Sequence, residues 1–481
     1  ETRECTPEAC PYANGYYARI KGALWDVLDV PCLTAETLQE YAERHTVCPF
    51  ELGLDSSLWS DVIIGDYNYL FDPVVHLARF FESAGDYIFL VDEAHNLPGR
   101  AREMHSAALT KTSFYEAKKL LGKGKSSLKN ALTKVNDVFI EWRHRAEEET
   151  AARDGRFGKT FFLKERSEEF DHLLNRLCEP LEAWLDDHRE PDETHTALLQ
   201  LYFDVRAWLR VADTFDDHFV LQITASGSEV RAAQLCLDPS AFLADSFALG
   251  RAAVLFSATL APASYYKDLC GVPEARAVAL RSPFPAGNQG LLCIGNVSTR
   301  YKDRDASLAI VEESLATMVR AHCGNYLAFF PSYAYMEQAY AQFKEHCPEI
   351  NCIKQENAMD EQQKAAFLAQ FVPGPSQTLL GFAVMGGVFG EGVDLTGDRL
   401  IGVGIVGPGL PQVGPRQEQL RDYFEQTRGS GFDYAYRYPG MNDSRFAMPD
   451  YRRLMPPHWS HLKMIYDTEE LERELWRFWE E

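Results

Sequence analysis

The segment YIFLVDEAHN, residues 87–96, carries the clearest structural signal in the sequence. It begins as an apolar run rich in β-branched and aromatic side chains and ends abruptly in the acids Asp92 and Glu93. Such a run is typical of a buried strand in a parallel sheet. Open α/β sheets bind their ligands at the carboxyl ends of their strands. The segment therefore predicts an α/β fold with a ligand site beside the two carboxylates.

The two acids suit nucleotide chemistry. An Asp at a strand end can hold Mg²⁺ next to a nucleotide, and a Glu that follows it can orient an attacking water. The alternative interpretation is a core strand followed by a solvated acid pair that caps a helix. The complete pattern DEAHN at residues 92–96 favours the nucleotide site, with Asp92, Glu93 and His95 as candidate catalytic residues.

Residues 252–256 form another apolar run and predict a second strand of the same kind. This run leads directly into SATL at residues 257–260. The hydroxyls of Ser257 and Thr259 can form hydrogen bonds between a nucleotide site and a neighbouring domain. The alternative is a helix N-cap, a position that Ser and Thr favour.

The last third of the sequence repeats this α/β pattern. Three strands and one helix are predicted there: strands at residues 326–330, 377–383 and 400–405, and a helix at residues 335–345. The turn GGVFGEGVD at residues 386–394 is dense in glycine, which lets backbone approach a ligand closely. Asp394 at its end can accept a hydrogen bond from a ligand hydroxyl.

The stretch between the two α/β parts is different in character. Residues 101–230 are poor in glycine and rich in charge, with apolar residues at helical spacing, so they predict a helical insertion. Within it, residues 153–164 are expected to form an exposed loop. Residues 219–223 are predicted to be a strand, and residues 271–287 are expected to link the two parts. Residues 469–481 predict an amphipathic C-terminal helix.

Composition restricts the class of protein. The chain has 481 residues, a formal net charge of −23 and 46% hydrophobic residues, as expected for a globular protein with several domains. No apolar stretch is long enough to span a bilayer, and no secretory signal opens the sequence. The cysteine usage described next predicts a cytoplasmic protein. A strongly acidic chain is not an obvious nucleic-acid binder. The lysine-rich segment at residues 111–134 is a local exception, and a solvated helix face is its alternative interpretation.

There are 11 cysteines, an odd number, and most stand alone in apolar or mixed surroundings, as do Cys178, Cys236 and Cys293. This pattern favours free thiols in a reducing compartment over a disulfide framework.

The N-terminal segment is the richest in cysteine. Proline beside Cys10 and Cys48 stiffens two turns, which suits metal ligands. Three or four thiolates here can hold an iron–sulfur cluster. Zinc is the less favoured interpretation because no Cys-x-x-Cys repeat is present. Unconnected thiols are the alternative. A helix is predicted at residues 34–44, and a short buried strand at residues 59–64.

Several motifs together resemble the iron–sulfur superfamily 2 DNA helicases of the xeroderma pigmentosum group D and DinG type, bacterial DinG-related helicases above all. The resemblance covers essentially the whole chain. Its motifs, in order, are CTPEACPYA at 5–13, CPF at 48–50, DYNYL at 66–70, DEAHN at 92–96, SATL at 257–260, FFPS at 329–332 and GEGVD at 390–394.

The resemblance implies an α/β fold with two RecA-like lobes and parallel sheets, the first lobe being interrupted by an iron–sulfur domain and a helical arch. The arch and the cluster domain would frame a pore for single-stranded DNA. The implied domains are the cluster domain at 1–55, the first lobe at 56–108, the arch at 109–235, the return of the first lobe at 236–275 and the second lobe at 276–481.

The resemblance also implies roles for single residues. Asp92 would hold Mg²⁺, Glu93 would orient water, and His95 with Ser257 and Thr259 would couple hydrolysis to lobe movement. The nucleotide would be faced from the second lobe by Gly390, Glu391, Gly392 and Asp394. A 4Fe–4S cluster would be bound by Cys5, Cys10 and Cys48, with Cys32 as a candidate fourth ligand. Candidate DNA contacts are Tyr67, Tyr69, Phe330 and Ser332, core packing being the alternative for the tyrosines.

Two departures from the family pattern stand out. The phosphate-binding Gly-x-x-x-x-Gly-Lys-Ser/Thr loop is not found and is expected upstream of Glu1, since the sequence does not begin with Met. The Gln-x-x-Gly-Arg motif should follow residues 438–442, but the sequence continues directly into Asp443. Loss of such an arginine lowers hydrolysis by about 10³–10⁵.

The predicted function is ATP-dependent translocation on single-stranded DNA in the 5′ to 3′ direction and unwinding of duplexes. Single-stranded and forked DNA are the expected partners of a bacterial monomer. The first alternative is an incomplete helicase that binds nucleic acid without hydrolysing ATP. A further alternative is an interaction protein stabilised by zinc.

Overall fold

The computed structural model describes residues 5–124, 126–152, 158–190, 192–281, 290–390, 393–441, 462–465, 470, 471 and 473. The chain forms two compact units, Glu1–Leu70 and Phe71–Glu481. Each unit has hydrophobic core residues of its own.

Three helices form the first unit: α1 (Tyr16–Val27), α2 (Ala35–His45) and α3 (Pro49–Ser57). Their facing sides bury a small apolar core made of Ile20, Ala23, Val27, Ala42, Val47 and Leu52. The helix predicted at residues 34–44 is confirmed as α2. Thr34 caps it by accepting a 3.2 Å hydrogen bond from the backbone N–H of Thr37.

The strand predicted at residues 59–64 is wrong. This segment is exposed, with Ile64 96% exposed, and it pairs with no strand in the described ranges. A single extended segment without a hydrogen-bonding neighbour does not form a stable strand. The segment leads instead into a short helix, α4 (Asn68–Phe71).

The second unit contains most of the secondary structure. Its helices and strands are, in chain order, α5 (Ala78–Phe81), β1 (Ile88–Val91), α6 (Leu97–Met104), β2 (Ala107–Thr110), α7 (Lys111–Leu120), α8 (Ser127–Ala152), β3 (Lys159–Leu163), α9 (Glu168–Asp187), α10 (Glu193–Thr214), β4 (Phe219–Ser226), β5 (Glu229–Cys236), α11 (Ser240–Ala248), β6 (Ala252–Leu255), α12 (Ala263–Leu269), β7 (Leu291–Ile294), α13 (Arg304–Ala321), β8 (Asn325–Phe330), α14 (Tyr333–His346), β9 (Asn351–Lys354), α15 (Glu361–Ala369), β10 (Leu379–Val384), β11 (Gly402–Ile405), α16 (Pro415–Arg428) and β12 (Leu462–Ile465). A π-helix at Asp433–Arg437 follows α16.

Strands β1 and β6 run parallel and side by side, with Val91 opposite Leu255. The prediction that residues 87–91 form a strand of a parallel sheet is therefore confirmed, and the strand predicted at residues 252–256 is its neighbour. The predicted burial is wrong for part of β1, because Ile88 is 53% and Leu90 is 68% exposed. Within the described residues β6 is the only strand beside β1, so few side chains cover these two.

The insertion between these strands is a mixed α/β structure. Helices α7 to α10 pack on an antiparallel sheet of order β2-β5-β4-β3. The expectation of a purely helical insertion is therefore wrong. The loop expected at residues 153–164 is also wrong in part, because Lys159–Leu163 forms β3, where Phe161 is fully buried. The strand predicted at residues 219–223 is confirmed as β4, which belongs to this antiparallel sheet.

A parallel sheet of order β11-β8-β10-β9 forms the centre of the second α/β part. The predicted strands at residues 326–330, 377–383 and 400–405 are confirmed as β8, β10 and β11. Every residue of β8 and β10 is buried, which explains their continuous apolar sequences.

Helix α16 and the π-helix pack on a different core. Leu420, Phe424 and Tyr436 share a buried cluster with Leu235 of β5 and Leu269 of α12. This stretch therefore connects the second α/β part to the insertion and to α12.

Burial raises the pKa of the Cys236 and Cys270 thiols to about 12, so both stay protonated.

Some predictions lie outside the described residues. These are Glu391 and Gly392, the junction of Asn442 and Asp443, and most of the predicted C-terminal helix. Over the rest of the chain, no helix combines the length and apolar character needed to cross a membrane.

Candidate active site at the carboxyl edge of the first parallel strands

Two backbone hydrogen bonds tie the segment after β1 to the segment after β6. The N–H of Phe256 donates to the carbonyl of Val91 at 3.0 Å, and the N–H of Ala94 donates to the carbonyl of Phe256 at 3.1 Å. Because the strands are parallel, both segments leave the sheet at the same edge. The acids after β1 and the hydroxyls after β6 are therefore brought together.

The two acids lie on a tight turn. The backbone N–H of Glu93 donates to Oδ1 of Asp92 at 2.8 Å. Glu93 has a φ of 44°, in the left-handed region that non-glycine residues rarely adopt. Its side chain is 55% exposed, so its carboxylate is open to solvent or a ligand. No sequence pattern predicted this left-handed backbone conformation.

Ser257 connects the acids to the histidine. Its hydroxyl donates to Oε2 of Glu93 at 3.1 Å and lies 2.9 Å from Nδ1 of His95. The backbone N–H of Thr259 donates to the same Ser257 oxygen at 3.2 Å. Because the Ser257 hydroxyl donates to Glu93, the Ser257 oxygen is left to accept a hydrogen bond from His95. The ring proton of His95 is therefore assigned to Nδ1. Of the predicted residues, Glu93, His95, Ser257 and Thr259 therefore form one hydrogen-bonded group.

Thr259 and the His95 side chain are nearly enclosed, at 5% and 4% exposed. The exposed carboxylate is thus linked through Ser257 to two groups inside the protein. Such an arrangement can transmit a change at the carboxylate to the segment that leads into α12.

The glycine-rich turn of the second α/β part is only partly described. Gly386 has a φ of 68°, which fits glycine, and the N–H of Gly390 donates to the carbonyl of Gly387 at 2.9 Å. Asp394 is exposed, and its backbone carbonyl accepts from Arg399 at 3.3 Å.

The four N-terminal cysteines do not converge into a metal site. Cys5 and Cys32 are exposed, whereas Cys10 and Cys48 are partly buried. In the described part of the chain, no three or more His, Cys, Asp or Glu side chains are close enough to hold a metal ion. The positions of these thiols therefore do not fit the implied cluster.

One residue does hold two of the cysteine loops together. Arg19 donates from Nε to the carbonyl of Thr46 at 3.0 Å and from Nη2 to the carbonyl of Pro11 at 3.1 Å. These acceptors lie one residue after Cys10 and two residues before Cys48. Sequence reasoning missed Arg19, because a lone arginine on a helix carries no distinctive pattern.

The candidate DNA contacts differ in accessibility. Tyr67 and Tyr69 are half-buried around α4. Ser332 caps α14 by accepting from the N–H of Tyr335 at 3.4 Å. Phe330 is fully buried, with its ring centroid 5.8 Å from that of Phe382, so its side chain has no surface for a base to stack on.

Two polar residues that the sequence analysis did not identify form hydrogen bonds at the ends of strands β8 and β10. Arg304 donates from Nη1 to the Ser332 hydroxyl at 3.2 Å. Gln355 is 1% exposed, and it accepts from the N–H of Val384 at 3.0 Å while donating to the Tyr333 hydroxyl at 2.7 Å. A glutamine directly after strand β9 was the available signal, since it lies at the carboxyl edge of the sheet.

Two family models match the chain. The DEAD_2 model matches residues 1–114, and the model described as a helicase C-terminal domain matches residues 315–448. The first match contains the acids of the candidate site, and the second contains the glycine-rich turn.

Curated relatives are similar over most of the chain. It is 22% identical over 429 residues to the ATP-dependent DNA helicase CHL1 of Coccidioides immitis, covering 78% of this chain and 49% of the relative. It is 23% identical over 487 residues to the XPD helicase subunit of general transcription and DNA repair factor IIH of Schizosaccharomyces pombe, covering 82% and 61%. The chain thus spans about half to three fifths of these relatives.

Solved structures show the same architecture. An XPD helicase structure superposes with a TM-score of 0.54 at 16% identity, covering 92% of this chain and 76% of that chain. The Xpd4 structure of S. tokodaii gives a TM-score of 0.51 at 14% identity, covering 96% and 91%. The fold is therefore the mixed α/β architecture of XPD helicases, which have two RecA-like lobes.

Proposed function

Because the chain belongs to the superfamily 2 helicases of the XPD and DinG type, we propose that it is an ATP-dependent DNA helicase. It would move 5′ to 3′ along single-stranded DNA as a monomer and unwind forked duplexes. The observation that carries this proposal is the hydrogen-bonded group of Glu93, His95 and Ser257 at the carboxyl edge of β1 and β6.

The acids after β1 would serve the reaction at the phosphates. Asp92 would hold Mg²⁺, which when bound offsets the negative charge of the phosphate oxygens. Glu93 would hold a water through its carboxylate and accept a proton as that water attacks. Its exposed side chain and its position on the turn leave room for the substrate.

The hydroxyl relay would connect hydrolysis to movement. When Glu93 changes its hydrogen bonds, the Ser257 hydroxyl loses or gains its acceptor. The hydrogen bonds that Ser257 forms with His95 and Thr259 then change as well. The segment after Thr259 enters α12, where Tyr265 packs against Tyr434 of the π-helix. Residues of the glycine-rich turn, Gly390 to Asp394, would face the nucleotide from the second lobe.

DNA would be held by hydrogen bonds to phosphates and by stacking on aromatic rings. Tyr67 and Tyr69 are candidates for stacking, since both keep accessible surface. Ser332 and its neighbour Arg304 are candidates for phosphate contact. Phe330 is left out of this proposal because of its burial.

For the first unit we propose a 4Fe–4S cluster held by Cys5, Cys10, Cys48 and Cys32, which requires these thiols to come closer together than the structure places them. Support comes from Arg19, which fixes the Cys10 and Cys48 loops to the same helix. Visible absorption of anaerobically purified protein tests whether the cluster is bound. A colourless protein that contains zinc, or no metal, contradicts the cluster.

The second candidate is a nucleic-acid-binding protein without ATPase activity. It is favoured by the sequence after Asn442, where Asp443 stands in place of the family's Gln-x-x-Gly-Arg motif.

Substitution Glu93→Gln tests the first candidate. It keeps the size of the side chain and removes its ability to take a proton, so DNA-stimulated ATP hydrolysis should fall by about 10²–10⁴. Binding of a fluorescent ATP analogue should be unchanged. The control is Glu141→Gln, an exposed acid on α8, which should hydrolyse ATP at the wild-type rate. Equal turnover in Glu93→Gln and wild type removes Glu93 from its role, and no hydrolysis in the wild type favours the second candidate.

A further inference from the structure

A pocket of about 270 Å³ opens between α6 and the beginning of α16. Arg102 and Glu103 line it from α6, Arg416 and Gln417 line it from α16, and Tyr434 lines it from the π-helix. Its described lining contains none of the residues assigned above to the nucleotide. It is therefore a second concave site, reached from solvent.

Two guanidinium groups contribute to this pocket. Over the described residues neither Arg102 nor Arg416 forms a salt bridge. Arg102 donates from Nε to the carbonyl of Leu237 at 2.9 Å, and its guanidinium carbon lies 5.8 Å from the Phe424 ring centroid. These contacts fix the Arg102 side chain within the pocket wall.

Arg102 and Arg416 carry like charges and line the same pocket, so each charge disfavours the other. Desolvation and then Arg102 lower the pKa of Arg416, and Arg231 acts in the same direction while Glu103 opposes them. An anion bound between the guanidinium groups would relieve this repulsion.

The nearby acids have cationic partners of their own. Glu103 pairs with Arg100 at 3.3 Å. Glu418 pairs with Arg421 at 2.5 Å and accepts from the Tyr436 hydroxyl at 2.6 Å. Since these carboxylates are compensated elsewhere, the balance of charge in the pocket stays positive.

The start of α16 adds to this positive field. The helix has Pro415 in its first turn, and Gly414 before it offers no side-chain cap. The backbone N–H groups of Arg416 and Gln417, which follow Pro415, therefore lie at the positive end of the helix dipole.

We propose that this pocket binds a phosphate group, held by the guanidinium groups of Arg102 and Arg416 and by the first backbone N–H groups of α16. Guanidinium and phosphate form paired, charge-assisted hydrogen bonds. The phosphate belongs either to a nucleic-acid strand or to a free phosphate compound, and the chemistry of recognition is the same. This binding does not require ATP hydrolysis, so it stands or falls separately from the function proposed above.

The test measures binding by wild type, Arg416→Gln, Arg206→Gln and Glu103→Gln. The probes are inorganic phosphate, by calorimetry, and a fluorescent oligothymidylate, by anisotropy at low salt. Arg416→Gln should weaken binding about tenfold, as expected for loss of a charge-assisted hydrogen bond. Arg206→Gln removes the same charge from an exposed position on α10, outside the pocket, and should bind as the wild type does. Glu103→Gln should bind severalfold more tightly, a gain that impaired folding cannot produce.

Two outcomes support the pocket and distinguish its ligand. Weakening with inorganic phosphate indicates a free phosphate compound, and weakening with oligothymidylate alone indicates a nucleic-acid backbone. Equal affinities of Arg416→Gln and Arg206→Gln for both probes would overturn the proposal. Unchanged affinity of Glu103→Gln would also overturn the proposal. This second test remains valid if Arg416→Gln fails to fold.

Discussion

A single hydroxyl, that of Ser257, joins groups from two distant parts of the sequence. It serves Glu93, His95 and Thr259 at once, and all of these contacts lie within 3.2 Å. In the proposed mechanism this residue positions its neighbours and does not itself touch the reacting phosphate.

Replacing Ser257 with Ala should uncouple hydrolysis from unwinding. The change removes the donor to Glu93 and the acceptor for His95, each worth about 0.5–1.5 kcal/mol. ATP hydrolysis should therefore fall by about fivefold to a hundredfold, whereas unwinding per ATP hydrolysed should fall further. Both rates are measured on a forked substrate. Ser257→Thr keeps the hydroxyl and is the matched control; identical unwinding per ATP in the two variants would contradict the coupling role.

Asp171 is a buried carboxylate in the insertion, and it predicts a pH dependence of stability. It is 6% exposed and accepts from Nε1 of Trp208 at 2.8 Å. Desolvation raises the pKa of Asp171 above its ordinary value of 3.8, against the effects of Trp208 and Arg166. The folded state therefore binds the proton more strongly than the unfolded state. Protonation of Asp171 contributes its full stabilisation of the folded state below pH 3.8. This stabilisation is lost as the pH rises through the folded-state pKa of Asp171.

Asp171→Asn should remove this pH dependence while keeping the acceptor for Trp208. Urea unfolding at a series of pH values should show the wild type losing stability relative to Asp171→Asn as the pH rises from about 4 to 7. Asp171→Ala is the comparison, because it leaves the indole N–H unpaired and should cost about 1–3 kcal/mol. A constant difference between wild type and Asp171→Asn at every pH would rule out the raised pKa.

At the scale of elements, α16 is held to α12 by a pair of strong contacts to one carboxylate. Asp268 accepts from Nε of Arg428 and from the Tyr434 hydroxyl, both at 2.7 Å. Tyr265 packs against Tyr434 with ring centroids 5.1 Å apart. Because α12 follows the hydroxyl segment in the chain, this junction links that segment to α16 and the π-helix.

Asp268→Ala should destabilise this junction. It removes two hydrogen bonds to a charged acceptor that is partly exposed, so a loss of about 2 kcal/mol in the free energy of unfolding is expected. Chemical denaturation followed by tyrosine and tryptophan fluorescence measures it. Asp245→Ala, an exposed acid on α11, is the control and should change stability by less than about 0.5 kcal/mol. Equal stability of the two variants would show that the contacts contribute nothing.

At the scale of the whole molecule, the two compact units have cores of very different size. The first unit buries a few small side chains between three helices, whereas the insertion buries many large ones, including Phe139, Phe170 and Trp208. Small cores stabilise their helices less, and such regions open more often.

Hydrogen exchange should therefore be faster in α1 to α3 than in α8 to α10. Mass spectrometry of peptides from both regions measures this difference. The comparison is made for protein purified anaerobically and for protein treated with a chelator. If a cluster is bound, α1 to α3 should become more protected in the anaerobic sample only. Equal protection of both regions in the chelated sample would contradict the difference in stability.

Much of the fold could be predicted from local sequence. The buried strands β8 and β10 have continuous apolar sequences because helices or loops cover both faces of a parallel sheet. Helix α2 could be located from the Thr34 cap, and the segment after β1 from its acids. The errors came from segments whose state depends on distant partners. Residues 59–64 have strand composition but no strand beside them in the described ranges, and Phe161 lies in a strand because β4 pairs with it.

The sequence by itself determined the α/β class, the order of the motifs and the resemblance to XPD-type helicases, because periodicity and short motifs are local properties of a chain. Only the tertiary structure decided that Ser257 meets Glu93 and His95, that Arg19 joins two cysteine loops, and that Arg102 and Arg416 share a pocket. Each of these contacts joins residues far apart in the chain. Their distances depend on strand pairing and helix packing, which no local pattern specifies.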